Sequence, residues 1–148
     1  MAQAVAQAMT SANEKLIYTA RVHTTGGREK GEAKSDDGRL HVMLSMPGGP
    51  GAGTNPEQLL AAGWSACFES AMAIAAGKMK VTLPADLAID IEVDLKSAHG
   101  GYFLGARMNV SLPGLDGDIA RQIVDAAHAL CPYSKALHGR IDLVTNLV

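Results

Sequence analysis

The chain has 148 residues, 47% of them hydrophobic and 19% charged, with a formal net charge of −2. That length and balance fit one folded domain with a real core, and exclude a strongly cationic nucleic-acid surface; no basic run exceeds two residues. Its two cysteines, Cys67 and Cys131, are too few for a secreted disulfide framework, and neither a CxxC pair nor zinc-ligand spacing accompanies them.

Residues 1–14 are rich in Ala and Gln and hold no basic residue before Lys15. They read as a flexible leader ahead of a single domain over residues 15–148. The leader lacks the charged start of a signal peptide and the Arg content of a transit peptide, so a cytoplasmic protein is expected. Residues 15–25 are β-prone and partly alternating, which predicts a strand. Gly26-Gly27 marks a turn or bulge. Residues 28–34 and 39–45 form a hairpin around Ser35-Asp36-Asp37-Gly38, whose Asp-Gly is a turn signal. Arg28 then follows a kink at a sheet edge, and by itself reads as a solvated strand charge. Residues 46–53 are a Pro/Gly-rich loop without a phosphate-binding pattern.

Gly53-Thr54-Asn55-Pro56 opens the stretch around which the chain is organised. Asn55 serves as N-cap, Pro56 fits the first helical position, and Gln58 can close a capping box. The helix should run from Pro56 to about Lys78. Residues 59–77 are long enough to span a membrane. Glu69 in their middle, with Ser65 and Ser70 nearby, argues for a buried helix of a soluble protein instead. Leu59, Gly63, Cys67 and Ser70 share one face. Gly63, one turn below Cys67, leaves space beside the sulfur or lets another backbone approach. Cys67 lies about three turns in, beyond the reach of the helix dipole. A reactive Cys67 therefore needs a positive side chain from elsewhere. Glu57 sits in the first turn, where the dipole favours an anion.

Residues 80–84 connect to Ile89–Lys96, which alternates apolar and charged residues and predicts a half-buried strand. After a turn at 97–101, residues 102–112 form its antiparallel partner, with Gly105 as a candidate bulge. Residues 113–117 break the pattern. Asp118 caps a second helix with an apolar stripe of Ile119, Ile123, Ala126, Ala127 and Leu130. Cys131 ends it before Pro132. His128, one turn earlier, could pair with Cys131 on a metal, but a third ligand is missing nearby. Residues 133–139 are a helical turn or loop, and 141–148 a last strand. The order is three strands, a helix, a strand pair, a helix and a strand, hence an α+β fold.

Gly53-Thr54-Asn55-Pro56-Glu57-Gln58-Leu59, Ala66-Cys67-Phe68, Cys131-Pro132-Tyr133-Ser134 and Gly26-Gly27-Arg28 together resemble the organic hydroperoxide resistance branch of the OsmC/Ohr family. The resemblance runs from about Lys15 to the C-terminus. It implies antiparallel sheets around a long buried central helix, in an intertwined homodimer whose active sites draw residues from both subunits. It also implies a thiol peroxidase. Cys67 would attack the hydroperoxide as a thiolate, with Arg28 lowering its pKa and Glu57 holding Arg28 in place. Cys131 would condense with the resulting sulfenic acid to a Cys67–Cys131 disulfide. Dihydrolipoamide, or a lipoylated protein, would reduce that disulfide. No haem, flavin, metal or nucleic acid is called for. Trp64, Phe68, Met43 and Met46 are candidates for an apolar pocket wall. Departures from the family pattern are the leader, Trp64 in place of a tyrosine, and Lys135-Ala136-Leu137-His138. The alternatives are a redox-sensing or ligand-binding homodimer with a regulatory disulfide, and a structural protein with two inert thiols.

Overall fold

Asn55 accepts the backbone N–H of Gln58 with its side chain, and Pro56 takes the first helical position, so the long helix starts where those residues predict. It spans Pro56–Lys78 and is here α2. The Gln58 side chain does not close a capping box. It bonds the Thr54 hydroxyl at 2.7 Å instead. The computed structural model describes residues 14–148, so the expected leader lies, apart from Glu14, outside the described residues.

Before α2 come β1 (Val22–Thr25), a one-turn helix α1 (Gly27–Lys30), β2 (Glu32–Ser35) and β3 (His41–Met43). They form an antiparallel sheet in the order β1-β2-β3. The hairpin turn falls at Ser35–Gly38, as the Asp-Gly signal implies, with Gly38 at φ +71°. Two sequence expectations fail here. The strand over 15–25 forms only from Val22; Leu16, Ile17 and Tyr18 are 80%, 91% and 73% exposed and find no strand to pair with among the described residues. β-propensity without a neighbour to pair with does not make a strand. Arg28 does not begin a strand either. Gly26 and Gly27 both take left-handed φ values, +75° and +66°, and turn the chain into α1, which carries Arg28.

A bridge between Leu44 and Thr54 closes the Pro/Gly loop at its base. It delivers the chain from the first sheet directly to the N-terminus of α2. After α2 come β4 (Ala88–Ala98), β5 (Gly101–Ser111), α3 (Gly117–Leu130), α4 (Pro132–Leu137) and β6 (Asp142–Leu147). β4 and β5 pair antiparallel without interruption, Asp94 facing Gly105, so Gly105 is no bulge. The Lys96 ammonium crosses the strand there, 2.5 Å from where a Cβ would stand. β6 runs parallel to β5, a departure from all-antiparallel sheets. The intervening α3 and α4 carry the chain back to the end from which β5 started, which is what a parallel pairing needs. The N-cap of α3 is Asp116, whose carboxylate accepts the N–H groups of Asp118 and Ile119; Asp118 is itself the second helical residue.

One face of α2, with Trp64, Phe68, Ala71, Met72, Ala75 and Ala76, is core and packs against α3 and β4. Ile123, Val124 and Ala127 of α3 and Met108 and Val110 of β5 complete it. Long and apolar enough to cross a membrane by length and composition, α2 is here the central helix of an α+β fold. Its opposite face, including Ala62, Ala66, Ala73 and Ile74, is exposed in the single chain.

Candidate functional site

The two cysteines, 64 positions apart, meet. Cys67 is free and partly exposed on α2; Cys131 is free and fully buried. Their sulfurs stand 3.4 Å apart. A disulfide needs about 2.05 Å, so closure requires a small local rotation and no refolding. Cys131 holds this place because it is both the last cap of α3 and the N-cap of α4. Its N–H bonds Ala127 O, and its sulfur accepts the Ser134 N–H at 3.5 Å. Pro132 at the first position of α4 forces the break between the helices.

Gly63 does what its place below Cys67 suggested: it makes room. What fills the room is the Tyr133 side chain, whose hydroxyl oxygen would lie 2.5 Å from a Cβ at residue 63. The Tyr133 backbone N–H acts on the Cys67 sulfur and pulls its pKa down. Burial, the larger effect, pushes the Cys67 thiol above its ordinary value, and the Cys131 thiol beside it adds to the rise. The expectation of a depressed thiol is therefore not met within one chain. No guanidinium is among the groups that act on Cys67.

Arg28 and Glu57 are nonetheless paired. One guanidinium nitrogen, Nη2, bonds both carboxylate oxygens, at 2.7 and 2.5 Å. Glu57 is largely covered, its side chain 13% exposed, against 38% for Arg28. The pair forms because Leu44 N–H bonds Gly31 O and the Leu44–Thr54 bridge brings α1 against the first turn of α2. Ten residues separate Glu57 from Cys67, about 15 Å along the helix axis. The four candidate residues thus fall into two pairs at different levels of α2.

Of the candidate pocket residues, Trp64 and Phe68 are fully buried core, while Met43 and Met46 are 56% and 50% exposed. His128 carries no partner for a metal with Cys131; its ring nitrogens meet the Ser134 and Thr145 hydroxyls, at 3.1 and 3.0 Å. A cleft of about 720 Å³ lies between α3, α4 and β6 and is lined by neither cysteine. The thiol pair is a contact, not the floor of that cleft. In the sequence, Tyr133 and Ser134 stand only within the Cys131-Pro132-Tyr133-Ser134 motif, with no role of their own beside the thiols. The signal was available: a Cys-Pro start to a helix puts Ser134 three residues past the cap, where its N–H turns back to the capping atom.

The chain matches the OsmC-like protein family over residues 48–146. The organic hydroperoxide resistance protein of Xanthomonas axonopodis pv. citri is 44% identical over 138 residues, covering 90% of this chain and 96% of that protein. OhrB of Bacillus subtilis, also an organic hydroperoxide resistance protein, has a crystal structure that superimposes with a TM-score of 0.83 at 39% identity, covering 88% of this chain and 98% of that one. The crystal structure of an organic hydroperoxide resistance protein from Legionella pneumophila gives the same TM-score and identity over 90% of this chain and 98% of that one. By sequence along nearly its whole length, and by fold, this chain belongs to the OsmC-like family, in its organic hydroperoxide resistance branch.

Proposed function

We propose that this protein reduces organic hydroperoxides to alcohols with Cys67 as the attacking thiol. The observation that carries the reading is the 3.4 Å approach of two free sulfurs, one partly exposed and one buried. The relatives' designation as organic hydroperoxide resistance proteins agrees with it. In the first step the Cys67 thiolate attacks the outer peroxide oxygen. The O–O bond breaks, sulfur becomes sulfenic acid, and the alkoxide leaves as alcohol after taking a proton. In the second, the Cys131 sulfur displaces hydroxide from the Cys67 sulfenic acid, and water and a disulfide result. A dithiol of the lipoyl type then exchanges with the disulfide, returning two thiols and leaving as its own cyclic disulfide. The whole cycle uses a cytoplasmic two-electron donor and no bound cofactor.

The thiolate needs a cation that one chain does not supply. The reading therefore includes a homodimer in which the Arg28–Glu57 pair of one subunit faces Cys67 of the other. The open apolar face of α2 and the exposed Leu16, Ile17 and Tyr18 suit burial by a second copy. Peroxide consumption with an alkyl hydroperoxide and dihydrolipoamide as sole reductant tests the function. Sustained turnover that vanishes in Cys67→Ser is expected. Formation of the disulfide without turnover would instead favour a redox sensor.

A further inference from the structure

We propose that the hydrogen-bonded chain Trp64–Ser134–His128–Thr145 positions Cys131 for disulfide closure, with Ser134 as its hub. The inference rests on the peroxidase reading above and adds residues to it. Trp64 Nε1 donates to Ser134 Oγ at 3.1 Å. Ser134 Oγ lies 3.1 Å from His128 Nδ1, and His128 Nε2 lies 3.0 Å from Thr145 Oγ1. An indole N–H can only donate, and a serine hydroxyl has one proton to give. A serine hydroxyl also accepts twice, so Ser134 can take the Trp64 N–H and bond Nδ1 as well, while Nε2 of the imidazole bonds Thr145. The bonds converge on a site where Trp64 is 0% and Ser134 7% exposed. Phe68 backs the imidazole, ring centroids 4.5 Å apart.

The placement of the members is what gives the chain a role. His128 lies three residues before Cys131, and Ser134 three residues after it, so their bond ties α3 to α4 across the joint that holds the thiol. Trp64 lies three residues before Cys67 on α2, so its bond to Ser134 sets the spacing between the helices that carry the two sulfurs. The Ser134 backbone N–H is itself on Cys131 Sγ. Thr145 anchors the far end in β6. Each of four elements thus contributes one group to a clamp around the pair. Without Ser134 Oγ, the buried Trp64 N–H and the half-buried His128 Nδ1 both lose this partner, and the α4 start that carries Cys131 and Tyr133 loses its registry with α2. Ser134 and His128 are positioning residues here, since neither touches the reacting oxygen.

The test is the fate of the Cys67 sulfenic acid after one addition of an alkyl hydroperoxide, read by intact mass as disulfide against sulfinic acid. In Ser134→Ala the ratio of sulfinic acid to disulfide should rise about tenfold, the scale of one lost buried hydrogen bond, and Ser134→Thr should restore most of it. A merely structural role would lower the melting temperature without moving the ratio. Should Ser134→Ala fail to fold, the isosteric Thr145→Val, which breaks only the far link, replaces it, with an expected rise of about threefold. A wild-type ratio in folded Ser134→Ala, or in Thr145→Val where that variant stands in, overturns the inference. Wild-type protein that forms neither species on peroxide addition overturns the peroxidase reading instead.

Discussion

Replacing Arg28 by glutamine separates two arrangements by magnitude. Within a single chain the guanidinium is bound to Glu57, and the helix rise sets Glu57 about 15 Å along the axis from Cys67. A unit charge at that distance through water is worth about 0.3 kcal/mol, and a Debye length of about 8 Å screens it further. Its loss would move the Cys67 midpoint by less than about 0.2 pH unit. A partner's guanidinium about 4 Å from the sulfur would contribute about 4 kcal/mol at an effective dielectric near 20. The accompanying Glu57 carboxylate takes back part, leaving a rise of about one to two pH units on substitution. The assay is the rate of Cys67 alkylation by iodoacetamide against pH, in a Cys131→Ser background so that one thiol reports. A midpoint unchanged within about 0.3 pH unit removes Arg28 from thiol activation. Mixing Arg28→Gln with Cys67→Ser chains adds a check on geometry. If the cation acts across the interface, the mixed dimer regains one working site; if it acts within a chain, it regains none.

Cys131→Ser should still undergo one fast oxidation and then accumulate sulfinic acid at Cys67, seen by mass; normal recycling with dithiols would show that Cys131 is not the resolving residue. Gly63→Ala sets a methyl against the Tyr133 hydroxyl, 2.5 Å from the new carbon. Helix propensity gains up to about 1 kcal/mol, so the melting temperature should hold, while displacement of Tyr133 raises the Cys67 alkylation midpoint; a lowered midpoint would contradict the contact. Asn55→Ala should cost about 1 kcal/mol in urea unfolding by orphaning the Gln58 N–H, and no measurable loss would mean that the cap is replaced. Burial holds His128 below its ordinary value, with Asp125 opposing weakly. The unfolded chain then takes up the proton first, so this residue's contribution to stability is complete above about pH 6.5 and declines as pH falls through the folded value. A His128→Gln chain should lose that slope in its urea midpoints, and an unchanged slope would assign it to other groups.

Local chemistry was readable without coordinates wherever neighbours along the chain decide it. Asn55-Pro56 begins α2 through a side chain three residues from the N–H it satisfies, and Asp36-Asp37-Gly38 turns the hairpin for similarly short-range reasons. The alternation of Ile89, Ile91 and Val93 made β4 equally plain. The joint at Cys131 followed from Pro132. Matching motifs also named Arg28, Glu57, Cys67 and Cys131 together. What they could not give was who touches whom. The 3.4 Å between sulfurs 64 residues apart, the Tyr133 ring over Gly63, and the Trp64–Ser134–His128 bonds all depend on how α2, α3 and α4 pack. The same packing buries the Cys67 thiol enough to raise it, and leaves Arg28 at the far end of the helix with Glu57. A thiol's acidity is set by the charges and solvent within a few ångströms, and those are fixed only when distant segments come together.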